Sequence, residues 1–248
     1  MLKENMPEGP SLILFKEELQ RFVGQKILEV SGSSKIDQQR LLGKKIKEIK
    51  TWGKHMLWLF DGFTIRIHFL MFGTYYINSG KDAKPRLYLK CQKDELNLYA
   101  TAVKMIEEDL DEVYDWPADV LSTLWDAKAA RKKLKTMGDT MVTDALLDQN
   151  VFAGVGNIIK NEVLYRIKVH PESLVGALPP RKLTEMIKEA VGYSYEFLQW
   201  KRDFVLRQNW KVHRKKTCER DDTKIAKEYL GKTNRRTFFC PTCQKLYV

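Results

Sequence analysis

Cys240-Pro-Thr-Cys243 sets two thiols three residues apart, the spacing that brings both sulfurs to one metal ion. Cys218 supplies a third thiol. Phe238, Phe239 and Tyr247 give the surrounding segment only a small core, so a module this short needs a four-coordinate structural metal to hold it together. The fourth ligand is His213, five residues before Cys218, or Asp221, which stands where a second CxxC pair would have a cysteine. Zinc's preference for nitrogen and sulfur in closed sites favours His213, Cys218, Cys240 and Cys243 around a single structural zinc ion. Without metal the same residues would be three reduced cysteines in a hairpin. Cys91 stands alone in a strand-like run and is expected to be a buried, inert thiol.

A second constellation is the stretch 147–162. Residues up to Gln149 read as the end of a helix, Ala153, Gly154 and Gly156 permit a tight reversal, and Asn157 is suited to cap the next helix. Glycines where a new helix begins leave backbone N–H groups and the positive end of the helix dipole open to an anion such as a DNA phosphate. The same residues would also serve a plain αα-corner.

The elements that carry these groups fall into two kinds. An amphipathic helix is expected from Leu12, Phe15, Leu19 and Phe22, with Pro10 in its first turn and Gly24 as its stop. Short runs at 26–31, 45–51, 55–60, 63–69, 74–78, 86–92 and 95–100 then read as strands of an antiparallel sandwich. An acidic stretch, 107–115, and Trp116-Pro117 mark a linker. From Ala118 the periodicity is helical, with a basic helix around Arg131, Lys132, Lys133 and Lys135 and a long helix opened by Pro179-Pro180 and running to about Lys201. The expected domains are 6–115, a β-sandwich; 118–207, a helical domain; and 208–248, a zinc-finger hairpin.

Charge follows the same division. Residues 1–127 carry 18 lysines and arginines against 19 acidic residues, net −1, whereas residues 128–248 carry 25 against 13, net +12. A basic half points to a polyanion, and with no amphipathic anchor nucleic acid is favoured over membrane. No apolar run approaches a membrane span, and a soluble, intracellular protein is expected.

With these residues in place, the chain resembles the formamidopyrimidine-DNA glycosylase and endonuclease VIII family from Met6 to Val248. The matching pieces are Met6-Pro-Glu-Gly-Pro10, Gly53-Lys54, His68-Phe-Leu-Met-Phe-Gly73, Leu147-Asp-Gln through Gly154-Val-Gly-Asn157, and Arg235-Arg-Thr-Phe-Phe-Cys-Pro-Thr-Cys-Gln244. Pro-Glu-Gly-Pro and Leu98-Tyr-Ala-Thr-Ala-Val-Lys-Met105, which lacks an Arg-Arg-Phe segment, look like the endonuclease VIII branch. The resemblance implies an α+β protein: an N-terminal antiparallel β-sandwich with an N-terminal helix, then a helix–two-turn–helix domain with a C-terminal zinc-finger β-hairpin.

It also implies a bifunctional DNA glycosylase and AP lyase of base-excision repair, acting mainly on oxidised pyrimidines. The secondary amine of Pro7 would attack the sugar C1′, release the base and form a Schiff base that drives β,δ-elimination. An α-amine, with a reference pKa near 8 against about 10.4 for lysine, suits this work. Glu8 would protonate the deoxyribose ring oxygen, and Lys54 would contact the sugar–phosphate. Leu70, Met71 and Phe72 would fill the gap left by the flipped nucleotide, with ordinary strand core as the competing role. Asn157 and Arg235 would clamp phosphates of a bent duplex.

Two departures accompany the match. Five residues precede Met6, and the nitrogen of Pro7 is nucleophilic only if translation starts at Met6 or residues 1–6 are removed. Ser11 stands where the family usually has a second glutamate, and Asp221 where it usually has a cysteine. The expected partner is damaged duplex DNA, with no membrane, no small-molecule cofactor, a monomeric state and a cytoplasmic, nucleoid-associated location. A catalytically silent binder of damaged DNA, or an AP lyase without glycosylase activity, is the alternative.

Overall fold

Apolar residues spaced for one helix face, followed by runs that alternate, produce the N-terminal half as expected. In the computed structural model residues 7–248 are described, and the expected start at Met6 falls on residues outside them. Helix α1 (Gly9–Leu19) begins with proline in its first turn and continues as a single 3₁₀ turn to Phe22, and Gly24 takes a φ of +80°. Leu12, Leu19 and Phe22 are fully enclosed, and Phe15 packs edge-on against Phe69 and Tyr75 at 5.2 and 5.0 Å.

Strands β1 (Ile27–Ser31), β2 (Glu48–Trp52), β3 (His55–Phe60), β4 (Phe63–Ile77), β5 (Leu87–Cys91) and β6 (Glu95–Ile106) join in the order β1-β5-β6-β4-β3-β2, antiparallel throughout. A short helix, α2 (Leu110–Val113), follows. The runs 63–69 and 74–78 are one strand, because β6 extends to Ile106 and pairs on both sides of the interruption. Phe69 faces Thr101 and Thr74 faces Tyr99, so Leu70, Met71, Phe72 and Gly73 oppose Ala100 alone. This is a wide bulge, and its strain is visible in Phe72 (φ 66°) and Ala100 (φ 48°), a left-handed conformation that costs a non-glycine residue about 1 kcal/mol or more. Gly73 closes it: a Cβ there would come within 2.9 Å of the carbonyl oxygens of Leu70 and Ala100.

The chain divides at Tyr114 and Asp115 into two compact units. The second contains helices α3 (Ala127–Lys135), α4 (Val142–Leu147), α5 (Asn157–Arg166) and α6 (Pro180–Arg202), and a two-stranded ribbon of β7 (Ala226–Leu230) and β8 (Arg235–Phe239). Leu134, Leu146, Phe152, Ile159, Val163, Met186, Tyr193 and Phe197 form its core. Helix α5 is buried from Ile159 through Tyr165 without a solvent face, as expected of a helix packed on all sides. The ribbon's tip rests on α4: the Lys232 amide donates to Asp144 Oδ1 at 2.9 Å, and Gly231 (φ 75°) leaves no room for a Cβ beside that carboxylate. Among the described residues no helix is long and apolar enough to cross a membrane.

Candidate functional site

In the first unit, Pro7 and Glu8 lead directly into α1, and both are buried, Glu8 to 1% exposure. Glu8 is the N-cap residue, and its carbonyl accepts from the Ser11 amide at 2.9 Å. Lys54 lies in the two-residue turn between β2 and β3, closed by the Trp52–His55 pair. Gly53 takes a φ of 51° at the first turn position, as a type II′ hairpin requires. The carbonyl of Lys54 is held by His68 Nδ1 from β4 at 3.0 Å, an N–H donor in this arrangement.

Beneath that turn His55 Nδ1 accepts from the Tyr114 hydroxyl at 3.3 Å. Burial, reinforced by the positive charges of Arg66 and Lys54 and by neighbouring His68, lowers the His55 pKa to about 3. His68 is lowered by burial as well. Lys54 is therefore backed by two neutral rings, with Arg66 as the neighbouring cation. The bulge presents Leu70, Met71 and Phe72 at 44, 53 and 59% exposure, so these three are not strand core. Cys91 is buried, which pushes its thiol up to about 11.

In the second unit the turn between α4 and α5 is tied by Gln149. Its Nε2 donates to the carbonyls of Leu147 (2.8 Å) and Val155 (3.1 Å), and its Oε1 accepts from the Gly154 amide at 3.0 Å. Gly154 takes a φ of 100°. The N-cap of α5 is Gly156, not Asn157. Asn157 is the first helical residue, and its Nδ2 donates to the Arg236 carbonyl in β8 at 2.8 Å. Arg235 opens β8, opposite Leu230.

The group that could hold a metal ion is Cys218, Asp221, Cys240 and Cys243, whose donor atoms all lie within 4.8 Å of one another. Cys218 Sγ and Cys243 Sγ are 3.8 Å apart, the edge of a tetrahedron with metal–sulfur bonds of about 2.3 Å. Asp221 oxygens lie 3.3 and 3.5 Å from Cys240 Sγ. The amides of Arg220 and Cys243 point at Cys218 Sγ and Cys240 Sγ, as expected around thiolates. These donors fit a four-coordinate metal. His213, preferred from the sequence, lies outside this group: its ring is enclosed between Trp210 and Phe238, and its Nδ1 meets Asn161 Nδ2 at 3.0 Å.

Sequence reasoning missed Lys160, Asn161 and Glu162, which are fully enclosed and all bonded to the C-terminal module. The Glu162 carboxylate accepts the amides of Lys211, Val212 and His213 at 2.7 to 3.0 Å. Burial raises its pKa and the three donors oppose that rise. The available signal was the absence of any polar stripe on α5.

Two family descriptions match the chain, "Formamidopyrimidine-DNA glycosylase N-terminal domain" over residues 6–105 and "Formamidopyrimidine-DNA glycosylase H2TH domain" over residues 118–193. The chain belongs to the formamidopyrimidine-DNA glycosylase and endonuclease VIII family. Among this family's members, Endonuclease 8-like 3 of Mus musculus is 32% identical over 206 residues, 79% of this chain and 34% of that protein. The chain thus spans about a third of the length of that relative. DNA-(apurinic or apyrimidinic site) lyase Nei2 of Mycolicibacterium smegmatis is 27% identical over 256 residues, 96% of this chain and 99% of the relative. The crystal structure of Lactococcus lactis formamidopyrimidine-DNA glycosylase, bound non-covalently to DNA containing an AP site, superposes with a TM-score of 0.85. It is 24% identical and the match covers 96% of this chain and 99% of that one, a likeness of fold.

Proposed function

We propose that the protein is a bifunctional DNA glycosylase and AP lyase that removes oxidised bases, chiefly pyrimidines, from duplex DNA. The observation that carries this reading is the enclosed Pro7-Glu8 pair at the head of α1 in a chain of this family. The amine of Pro7, free once the preceding residues are absent, attacks C1′ of the damaged nucleoside. Glu8 protonates the ring oxygen, the base departs, and the resulting iminium draws electrons for elimination of the 3′ and then the 5′ phosphate. The iminium of a secondary amine carries its positive charge without a proton, so it stays an electron sink at any working pH.

Lys54 meets the sugar–phosphate from a turn that His68 holds by its backbone. Leu70, Met71 and Phe72 enter the stack where the nucleotide has left it. Asn157 and Arg235 contact phosphates, and the backbone N–H groups at the start of α5 add to that anion site. Cys218, Asp221, Cys240 and Cys243 would hold a structural zinc ion, which would supply no chemistry to the reaction and would fix the module that carries Arg235. The names of the relatives, a DNA lyase and an Endonuclease 8-like protein, support this reading.

Borohydride trapping tests it. Protein begun at Met1 and at Met6 is incubated with oligonucleotides containing thymine glycol, dihydrouracil, 8-oxoguanine or an abasic site. The Met6 form forms a covalent adduct on the oxidised pyrimidines and the abasic site, and the Met1 form, in which the Pro7 nitrogen is an amide, does not. Binding of duplex without trapping by either form would replace this reading with that of a silent damage binder, and trapping on abasic DNA alone with that of a lyase.

A further inference from the structure

Successive side chains on a helix are rotated by about 100°, so three in a row ordinarily include one that faces water. Lys160, Asn161 and Glu162 are exposed to 0, 1 and 0%. Asn161 and Glu162 hold the segment around His213. Lys160 reaches the other side of the module: its Nζ donates to Thr237 Oγ1 at 2.7 Å, and that hydroxyl donates onward to the Arg235 carbonyl at 3.0 Å. One turn earlier Asn157 Nδ2 donates to the neighbouring Arg236 carbonyl at 2.8 Å. Two side chains of α5 therefore fasten the β8 backbone at successive peptides, and both fastenings lie at the residue proposed to grip a phosphate.

We propose that Lys160 is a positioning residue for DNA binding, setting Arg235 in register with Asn157 through Thr237. This rests on the reading of Arg235 and Asn157 as phosphate contacts. Lys160 is sealed from solvent and touches no phosphate itself. Its ammonium gives the Thr237 hydroxyl a charge-assisted donor, stronger than a neutral one, so the hydroxyl's own hydrogen is directed at Arg235 O and the strand cannot rotate there.

The test measures affinity of the full chain for duplex containing a tetrahydrofuran abasic analogue across a potassium chloride series. Arg235→Ala weakens binding by about tenfold and makes the salt dependence shallower by about one phosphate contact. Lys160→Met and Thr237→Val each reproduce most of that loss and the same change of slope, whereas Thr237→Ser binds as the parent does. In the Arg235→Ala background neither Lys160→Met nor Thr237→Val weakens binding further. Thr237→Val and Thr237→Ser alter no charge, so they carry the test if Lys160→Met does not fold. Parent-like binding by Thr237→Val alongside a weakened Arg235→Ala overturns the positioning role alone. Equal losses in both backgrounds overturn it too. Parent-like binding by Arg235→Ala overturns the phosphate-contact reading and this role with it.

Discussion

The bulge of β4 and the interior of α5 depart from the ordinary distribution of polarity in opposite directions. The bulge holds Leu70, Met71 and Phe72 in the open on strained backbone, with Gly73 closing it. Helix α5 takes a lysine, an asparagine and a glutamate out of water and gives each a partner within its own unit. An enclosed charge with internal partners is explained by the fold. An exposed apolar cluster has no such explanation within the fold, and contact with a ligand is what we propose for it. The two regions thus separate residues kept for architecture from residues kept for contact with something else.

Stability measurements can break that separation. The largest effect is expected from metal removal: chelation under reducing conditions lowers the melting temperature of the second unit by more than about 10 °C, because binding energy of a structural metal is folding energy. A chelator that leaves calorimetric transitions unchanged would mean the four donors hold nothing. Next, Glu162→Ala leaves the buried amides of Val212 and His213, and the part-buried one of Lys211, without an acceptor and costs about 3 kcal/mol in urea unfolding. A loss below about 0.5 kcal/mol would place that segment in water instead.

Acid gives a smaller, graded effect. His55, and likewise His213 through burial and nearby Arg214, Lys160 and Arg236, are held neutral in the fold with pKa values of about 3. The unfolded chain takes up those protons near pH 6.5 while the folded chain does not. Stability is therefore complete above pH 6.5 and declines as pH falls from there toward 3. His55→Gln or His213→Gln flattens the decline seen in denaturation midpoints between pH 7 and pH 4. The smallest effect on stability belongs to the bulge: alanine at Leu70, Met71 or Phe72 changes unfolding by no more than about 0.5 kcal/mol. Affinity for abasic duplex falls nonetheless, and a variant that loses stability but not affinity would return that side chain to the core.

What was legible in the sequence follows from how local the cause was. Helix α1 and the strands were readable because Leu12, Leu19 and Phe22, or alternate residues along β3 and β4, declare their buried face within a few positions. The bulge split one strand into two readings, since its cause is Ala100 on another strand. The α5 row was unreadable because its partners lie 49 to 77 residues downstream. Asp221 was underrated for the opposite reason. Its turn, closed by the Asp222 amide on the Cys218 carbonyl at 3.0 Å, places a carboxylate where the second thiol of a CxxC pair would be.

The Gly231 contact with α4 has a mechanical meaning. With four donor atoms gathered at one end and the tip seated on Asp144 at the other, the β7–β8 ribbon is a beam supported at both ends rather than a cantilever. Such a beam deflects least near its supports, and Arg235 sits beside the one at the tip. Releasing the metal frees only the far end, while α4 at the tip and Asn157 and Lys160 along β8 still hold the ribbon. An alanine at Gly231 would release the tip and leave Arg235 to the bonds from α5 while the metal site stayed in place.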